Sequence, residues 1–203
     1  MLTALIAAGY LLGSIPVAWL VAKVATGQDL RQLGSGNVGV MNVAVRVARW
    51  AGLLVFLAEA AKGVLAVASA RALGGDEVAV GLVVLATVVG TRWPIWLRGA
   101  GGRGNTAGMA ALLVLSWLSL VIGMAIWLLV RLLTRSSFVA TRILLVLLPF
   151  ILGLVTQSWW YVLFGMALSL LYLSTHRPET DDHLLIKERW PSLWAFLTGP
   201  RRK

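Results

Sequence analysis

From Ala107 to Val130 the chain carries no charged side chain, a run long enough to cross the hydrocarbon core of a bilayer. Comparable runs lie at Leu2–Val24, Trp50–Ala70, Val78–Gly90 and Ile143–Leu173. The composition agrees: 59% of residues are hydrophobic, only 13% are charged, and mean hydropathy is +0.86. A soluble globule so built would expose aggregating apolar patches, and a disordered chain would be far poorer in apolar residues. The sequence therefore predicts an all-α, polytopic integral membrane helix bundle with about five to seven transmembrane helices. It reads as a single membrane domain over 1–203, with a polar cytoplasmic tail at 176–203. Leu2–Val24 has no basic residue ahead of it and reads as a retained span rather than a cleaved signal. Ala107–Val130 reads as one uninterrupted span. Ile143–Leu173 is too long for one and divides at Thr156-Gln157-Ser158.

Lysine and arginine number 18 against 8 acids, a net charge of +10. The cations sit between the apolar runs, so they report topology and headgroup contact rather than nucleic acid. Basic loops at 23–49 and 92–104 and the basic tail face the cytoplasm on this reading, with 71–77 outside. Counting spans in this way puts 131–142 outside, although it carries Arg131, Arg135 and Arg142. With no cysteine and two histidines, the chain offers no thiolate chemistry and no histidine metal cage. The absence of an internal repeat disfavours a transporter built on inverted halves.

Five segments carry chemistry. Gly34-Ser35-Gly36-Asn37-Val38-Gly39 with Asn42 places glycines and neutral donors in a loop followed by Arg46 and Arg49. Such a loop can present successive N–H groups to an anion, or it can simply be a turn that caps the next helix. Gly101-Gly102-Arg103-Gly104 ends a glycine-rich loop and opens a helix, where N–H groups and the dipole favour phosphate. Its G-x-G-x-x-G spelling at 99–104 lacks a βαβ context, and the first acid after it is Glu179, so a dinucleotide site is rejected. Glu59 and Lys62 lie three apart in an apolar span, either as a structural pair or with the lysine toward substrate. Gly13-Ser14-Ile15-Pro16 marks a kink in the first span, and His176-Arg177 follows the last one.

In order and spacing, from about residue 10 to 177, these motifs resemble the bacterial membrane acyl-phosphate:glycerol-3-phosphate acyltransferase family. The resemblance implies transfer of an acyl group from acyl phosphate to the 1-hydroxyl of glycerol 3-phosphate, giving lysophosphatidic acid for phospholipid synthesis. It also implies a multi-pass protein of the bacterial inner membrane whose cytoplasm-facing groove needs no metal or cofactor. Its partners are acyl phosphate, glycerol 3-phosphate and membrane lipid. No oligomeric state is legible. Ser35, Asn37 and His176 are the implied catalytic residues. Ser14, Gly34, Gly36, Gly39, Asn42, Arg46, Lys62, Gly101, Gly102, Arg103 and Gly104 are the implied substrate-binding ones. The chain departs from the family pattern at several places. Met41 replaces a threonine, and Val45 stands where an arginine is expected, with Arg46 next to it. Thr91 replaces a histidine, Arg103 a lysine, Glu59 an aspartate and Glu179 an asparagine, while Phe138 and Thr141 stand for serines. The alternative is accordingly a catalytically altered or inactive relative that binds anionic lipid or a membrane partner.

Overall fold

The computed structural model describes residues 1–175, Ile186, Trp190 and residues 193–199. The described residues hold these α-helices: α1 (Leu2–Ser14), α2 (Val17–Thr26), α3 (Val40–Arg46), α4 (Arg49–Ala72), α5 (Glu77–Arg92), α6 (Asn105–Leu115), α7 (Trp117–Thr134), α8 (Ser137–Thr156), α9 (Trp159–Thr175) and α10 (Leu193–Thr198). Short 3-10 turns stand at Leu30–Gln32 and Ile95–Leu97. No strand occurs among the described residues. Among the described residues, five segments are long and apolar enough to cross a membrane, the first being α1 and α2 together, and α6 and α9 are shorter apolar helices.

The helix ends follow from the residues there. Pro16 cannot continue α1, and the chain restarts as α2 at Val17. Asp76 caps α5 by accepting from the Ala79 N–H at 2.8 Å, with Glu77 in the first turn. Gly27 takes a left-handed conformation (φ 72°) and closes α2. Helices α1 and α5 run parallel and pack closely. A Cβ on Gly13 would lie 2.0 Å from the Thr87 carbonyl oxygen, and one on Gly90 2.1 Å from that of Tyr10. The main core gathers small and branched residues of α4 and α5 with Leu112, Leu148, Leu152, Leu168 and Tyr172. Large apolar residues such as Leu132, Leu133, Leu154 and Trp159 face outward, as lipid contact requires.

The run Ala107–Val130 is not one span. It breaks at Ser116, and α7 turns back alongside α6, with the Ser116 and Ser119 hydroxyls 2.7 Å apart. This break corrects the topology. Helix α9 starts beside the α4–α5 turn, where Ser158 Oγ meets Glu77 at 3.1 Å, and ends beside Gly104, to whose carbonyl the Tyr172 hydroxyl donates at 3.0 Å. Helices α8 and α9 form a hairpin that brings Gly165 against Pro149, so the beginning of α8 lies at the Gly104 end. The 131–142 segment joins α7 to α8, and Arg131 donates to Ser137 Oγ at 2.8 Å. Its arginines therefore share an end with the loops at 27–39 and 93–104, not with the 72–77 turn. The division of 143–173 at residues 156–158 is as expected.

Candidate functional site

Two loops at that end build the site. The first is held from inside. Asn42, fully buried on α3, donates through Nδ2 to the carbonyls of Leu33 and Asn37, both at 2.9 Å, and of Leu30 at 3.4 Å. Gly34 and Gly36 take positive φ (56° and 70°). A Cβ on Gly34 would sit 2.2 Å from Asn42 Oδ1 and 2.9 Å from Arg46 Nε. Leu30 and Val38 bury themselves among Ala18, Ala22, Val43, Val55 and Leu97, which anchors the loop to α2, α4 and the second loop. Outside the spans, Asp29 accepts from the Arg31 side chain and N–H and from Trp19 Nε1 at 3.0 Å. The Arg31 guanidinium holds its carboxyl well below the usual carboxylate range.

The second loop folds back on the end of α5. The N–H groups of Gly101 and Gly102 donate to the carbonyls of Arg92 and Thr91 at 3.2 and 3.1 Å, satisfying acceptors that the helix end leaves over. Gly102 is required by proximity: a Cβ there would lie 2.3 Å from the Val38 carbonyl oxygen, so the two loops touch backbone to backbone. Gly104 (φ 76°) then starts α6, with no side-chain cap. The first N–H groups of α6 consequently open onto the space between the loops.

That space is a cleft of about 280 Å3. Asn37, Gly39, Met41, Glu59, Thr91, Arg103, Gly104, Asn105 and Thr106 are among its lining residues. Ser35 sits at the bend that leads in, its Oγ 3.4 Å from the Asn37 N–H. A second, apolar groove of about 280 Å3 runs between α6, α7, α8 and α9 past Leu112, Leu120, Gly123, Trp127 and Leu144. The two spaces share Arg103 and Asn105. A cleft that carries the loops' polar side chains beside Val38, Val40, Met41 and Phe56 thus meets a greasy groove at one guanidinium, an arrangement suited to a molecule with an anionic head and an alkyl tail.

The sequence-predicted residues divide into groups. Asn37, Gly39, Arg103 and Gly104 line the cleft, and Gly101, Gly102, Gly34 and Gly36 shape its walls. Asn42 and Arg46 lie behind the first loop rather than on the cleft surface. Ser14 is buried at the α1 break. Lys62 is turned the same way. Its Nζ donates to the carbonyls of Ile15 at 2.6 Å and Gly13 at 3.2 Å and pairs with Glu59 Oε1 at 2.7 Å. His176, His183 and Glu179 lie outside the described residues, as does most of the tail. Ile186, Trp190 and Phe196, however, bury themselves against Ala44 and Val45 of α3. Four residues escaped the site prediction: Asn105 and Thr106, Glu59 as a lining residue, and Tyr172. The first two were signalled by their place just after Gly104 at a helix start. Tyr172 carried no local signal.

The profile described as glycerol-3-phosphate acyltransferase matches residues 3–184. The chain belongs to the glycerol-3-phosphate acyltransferase family. It is 40% identical over 170 residues to glycerol-3-phosphate acyltransferase 2 of Moorella thermoacetica, covering 84% of this chain and 87% of that protein. It is 38% identical over 186 residues to the glycerol-3-phosphate acyltransferase of Rubrobacter xylanophilus, covering 91% and 92%. Among solved structures it is similar to the glycerol 3-phosphate form of PlsY, an integral membrane glycerol 3-phosphate acyltransferase. The TM-score there is 0.80 at 26% identity, covering 97% of this chain and 98% of that one. The lysophosphatidic acid form of PlsY shares the fold, with a TM-score of 0.76 at 24% identity. In this acyltransferase two of the motifs, Gly34–Gly39 and Gly101–Gly104, fall on the two touching loops, while Gly13–Pro16 lies at the α1–α2 break and Lys62 on α4. Of its departures, Met41 and Thr91 line the cleft and Val45 is buried. The Thr91 hydroxyl donates to the carbonyls of Thr87 and Gly13 at 3.0 and 3.3 Å, two alternative acceptors for one proton.

Proposed function

We propose that this chain transfers an acyl group from acyl phosphate to the 1-hydroxyl of glycerol 3-phosphate, releasing lysophosphatidic acid and inorganic phosphate. The observation that carries the reading is the junction at Arg103 of the cleft between the two loops with the apolar groove. A fatty acyl phosphate has those two parts, and its reacting carbon lies where they join. The alkyl chain enters the groove between α6, α7 and α8, and the phosphate stays at the loops.

The chemistry asks mainly for orientation and charge neutralisation, because phosphate is a good leaving group. Arg103, the α6 N-terminus and Asn37 neutralise and orient the phosphates. Ser35 shapes the bend from which Asn37 reaches the cleft. The acceptor 1-hydroxyl oxygen bonds to the acyl carbon, and the bond from that carbon to the phosphate oxygen breaks. The hydroxyl proton leaves with the phosphate, or passes to His176. Lys23, Arg31, Arg46, Arg98, Arg103 and Arg135 lie in or beside the loops of this end, whereas the opposite turn has Arg71 beside it with Asp76 and Glu77. By the positive-inside relationship the cleft faces the cytoplasm of a bacterial inner membrane.

A second reading, an anion-binding relative without transfer activity, is favoured by one feature: Met41 and Thr91 stand on the cleft wall where the family pattern has a hydroxyl and an imidazole. Purified protein incubated with palmitoyl phosphate and labelled glycerol 3-phosphate separates the two. Labelled lysophosphatidic acid supports the enzyme. Saturable glycerol 3-phosphate binding without product supports the relative and overturns the transfer reading.

A further inference from the structure

We infer that Glu59 is the acceptor-specificity residue of the cleft and that its free carboxylate oxygen takes a hydrogen bond from the 2-hydroxyl of glycerol 3-phosphate. The inference rests on the acyl-transfer reading above and adds to it the means by which the acceptor is recognised.

Among the described lining residues of the cleft, Glu59 is the only acid. It sits on α4, 7% exposed. Its position is set by a chain of contacts leading away from the cleft: Oε1 is 2.7 Å from Lys62 Nζ, and Lys62 is fastened to the Ile15 and Gly13 carbonyls. Oε2 has no hydrogen-bond partner among the described residues. An ionised carboxylate is an acceptor only, so whatever meets Oε2 must bring a proton.

A phosphate oxygen in that place would be repelled, which makes Glu59 unfit to hold either phosphate. The part of the acceptor that fits is a neutral hydroxyl. Glycerol 3-phosphate offers two. The reacting 1-hydroxyl must approach the acyl carbon at the mouth of the apolar groove, beside Arg103 and Asn105. Glu59 lines the cleft but not the groove. The hydroxyl at Glu59 is therefore the 2-hydroxyl, and the pair of contacts leaves the 1-hydroxyl alone at the reacting end. The reaction asks no proton transfer of Glu59, whose Oε1 is engaged by Lys62 at 2.7 Å; its part is recognition.

The test compares glycerol 3-phosphate with 3-hydroxypropyl phosphate, which lacks only the 2-hydroxyl. A hydrogen bond to a charged group corresponds to a preference of about 10- to 100-fold in kcat/KM for the natural acceptor. In Glu59→Gln that preference is expected to fall below about 5-fold. The paired variant Glu59→Met with Lys62→Met removes both buried charges together, guards against unfolding of the single variant, and is expected to lose the preference too. An unchanged preference in the variants, or none in the native protein, overturns the assignment, since a merely structural glutamate would lower both acceptors alike. Calorimetric binding of the two acceptors without donor gives an independent reading. A protein that discriminates in binding but forms no ester supports the role of Glu59 and overturns acyl transfer. One that binds neither acceptor overturns both.

Discussion

The Lys62 ammonium lies 2.6 Å from the carbonyl oxygen of Ile15, across from its own helix, at the point where Pro16 ends α1. Residues 47 apart in sequence are thereby joined at the bilayer interior, and the lysine caps an end that carries the negative pole of the α1 dipole. The Glu59–Lys62 pair and the Gly13–Pro16 break are one construction. Lys62→Met leaves the Glu59 carboxylate buried without its cation and two carbonyls without a donor. The expected cost is about 3–5 kcal/mol, read as a lowered unfolding temperature in detergent. Adding Glu59→Gln should recover a large part of it, because the unpaired charge, not the lost bond, dominates. Equal stability of Lys62→Met and the native protein would refute the construction.

Arg103 is the residue common to cleft and groove, so its loss should reach activity before stability. Arg103→Ala is expected to reduce acyl transfer by at least 100-fold with the unfolding temperature unchanged. Arg103→Lys should retain most of the rate, since it keeps the cation at the α6 N-terminus while giving up the planar donor pair. Turnover with acyl phosphate measures both; a fully active Arg103→Ala protein contradicts the proposed site.

Two asparagines of the first loop are expected to behave oppositely. Asn42 spends its amide on the carbonyls of Leu30, Leu33 and Asn37 inside the loop. Asn42→Ala should therefore cost about 1–3 kcal/mol and lower activity through disorder of the loop. Asn37 faces the cleft, and Asn37→Ala should abolish transfer while the fold holds. Thermal unfolding measured beside turnover distinguishes them; a stable Asn42→Ala protein would place that side chain in the cleft instead.

These contrasts bear on what a single sequence can disclose. The two loops were legible because glycine, serine and asparagine crowd where the chain leaves the membrane, and their meeting at Gly102 and Val38 turns a list of motifs into a site. The break at Ser116 was not. Leu115-Ser116-Trp117 has no proline or glycine, and a lone serine hardly interrupts an apolar count. The displaced arginines at 131, 135 and 142 were themselves the signal, since they violate the positive-inside pattern unless one more crossing exists. Lys62, read from its own helix, could be given only Glu59 as a partner. Its carbonyl acceptors belong to another helix, and no periodicity announces them. Tyr172 is the same case, tied to Gly104 across 68 positions.

Tyr172 also limits how α6 can move. Its hydroxyl donates to the Gly104 carbonyl, and a Cβ on Gly108 would meet that hydroxyl at 2.0 Å. Tyr172→Phe removes the bond and should cost about 0.5–1.5 kcal/mol, with a rise in KM for acyl phosphate as the α6 N-terminus loosens. Gly108→Ala should be worse, because the tyrosine must be pushed out of a packed core. Substrate titrations of both variants provide the check, and an unaltered KM in each would separate Tyr172 from the site.

The groove sets a final expectation, about the acyl chain. Gly123 on α7 lines it opposite Leu144, whose Cδ1 would be 3.1 Å from an added Cβ. That neighbour is the end of a flexible side chain, so a larger residue can be accommodated at the expense of groove length rather than of folding. Each methylene kept from apolar burial forfeits about 0.8 kcal/mol, so excluding two of them amounts to roughly 10-fold in affinity. Gly123→Leu should accordingly shift the preferred donor toward shorter acyl phosphates by that order, with little change in the rate on the shortest ones. Competition between palmitoyl and decanoyl phosphate, analysed by the mass of the lysophosphatidic acid formed, measures the shift. A product ratio identical to that of the native protein would place the alkyl chain elsewhere than between α6, α7 and α8.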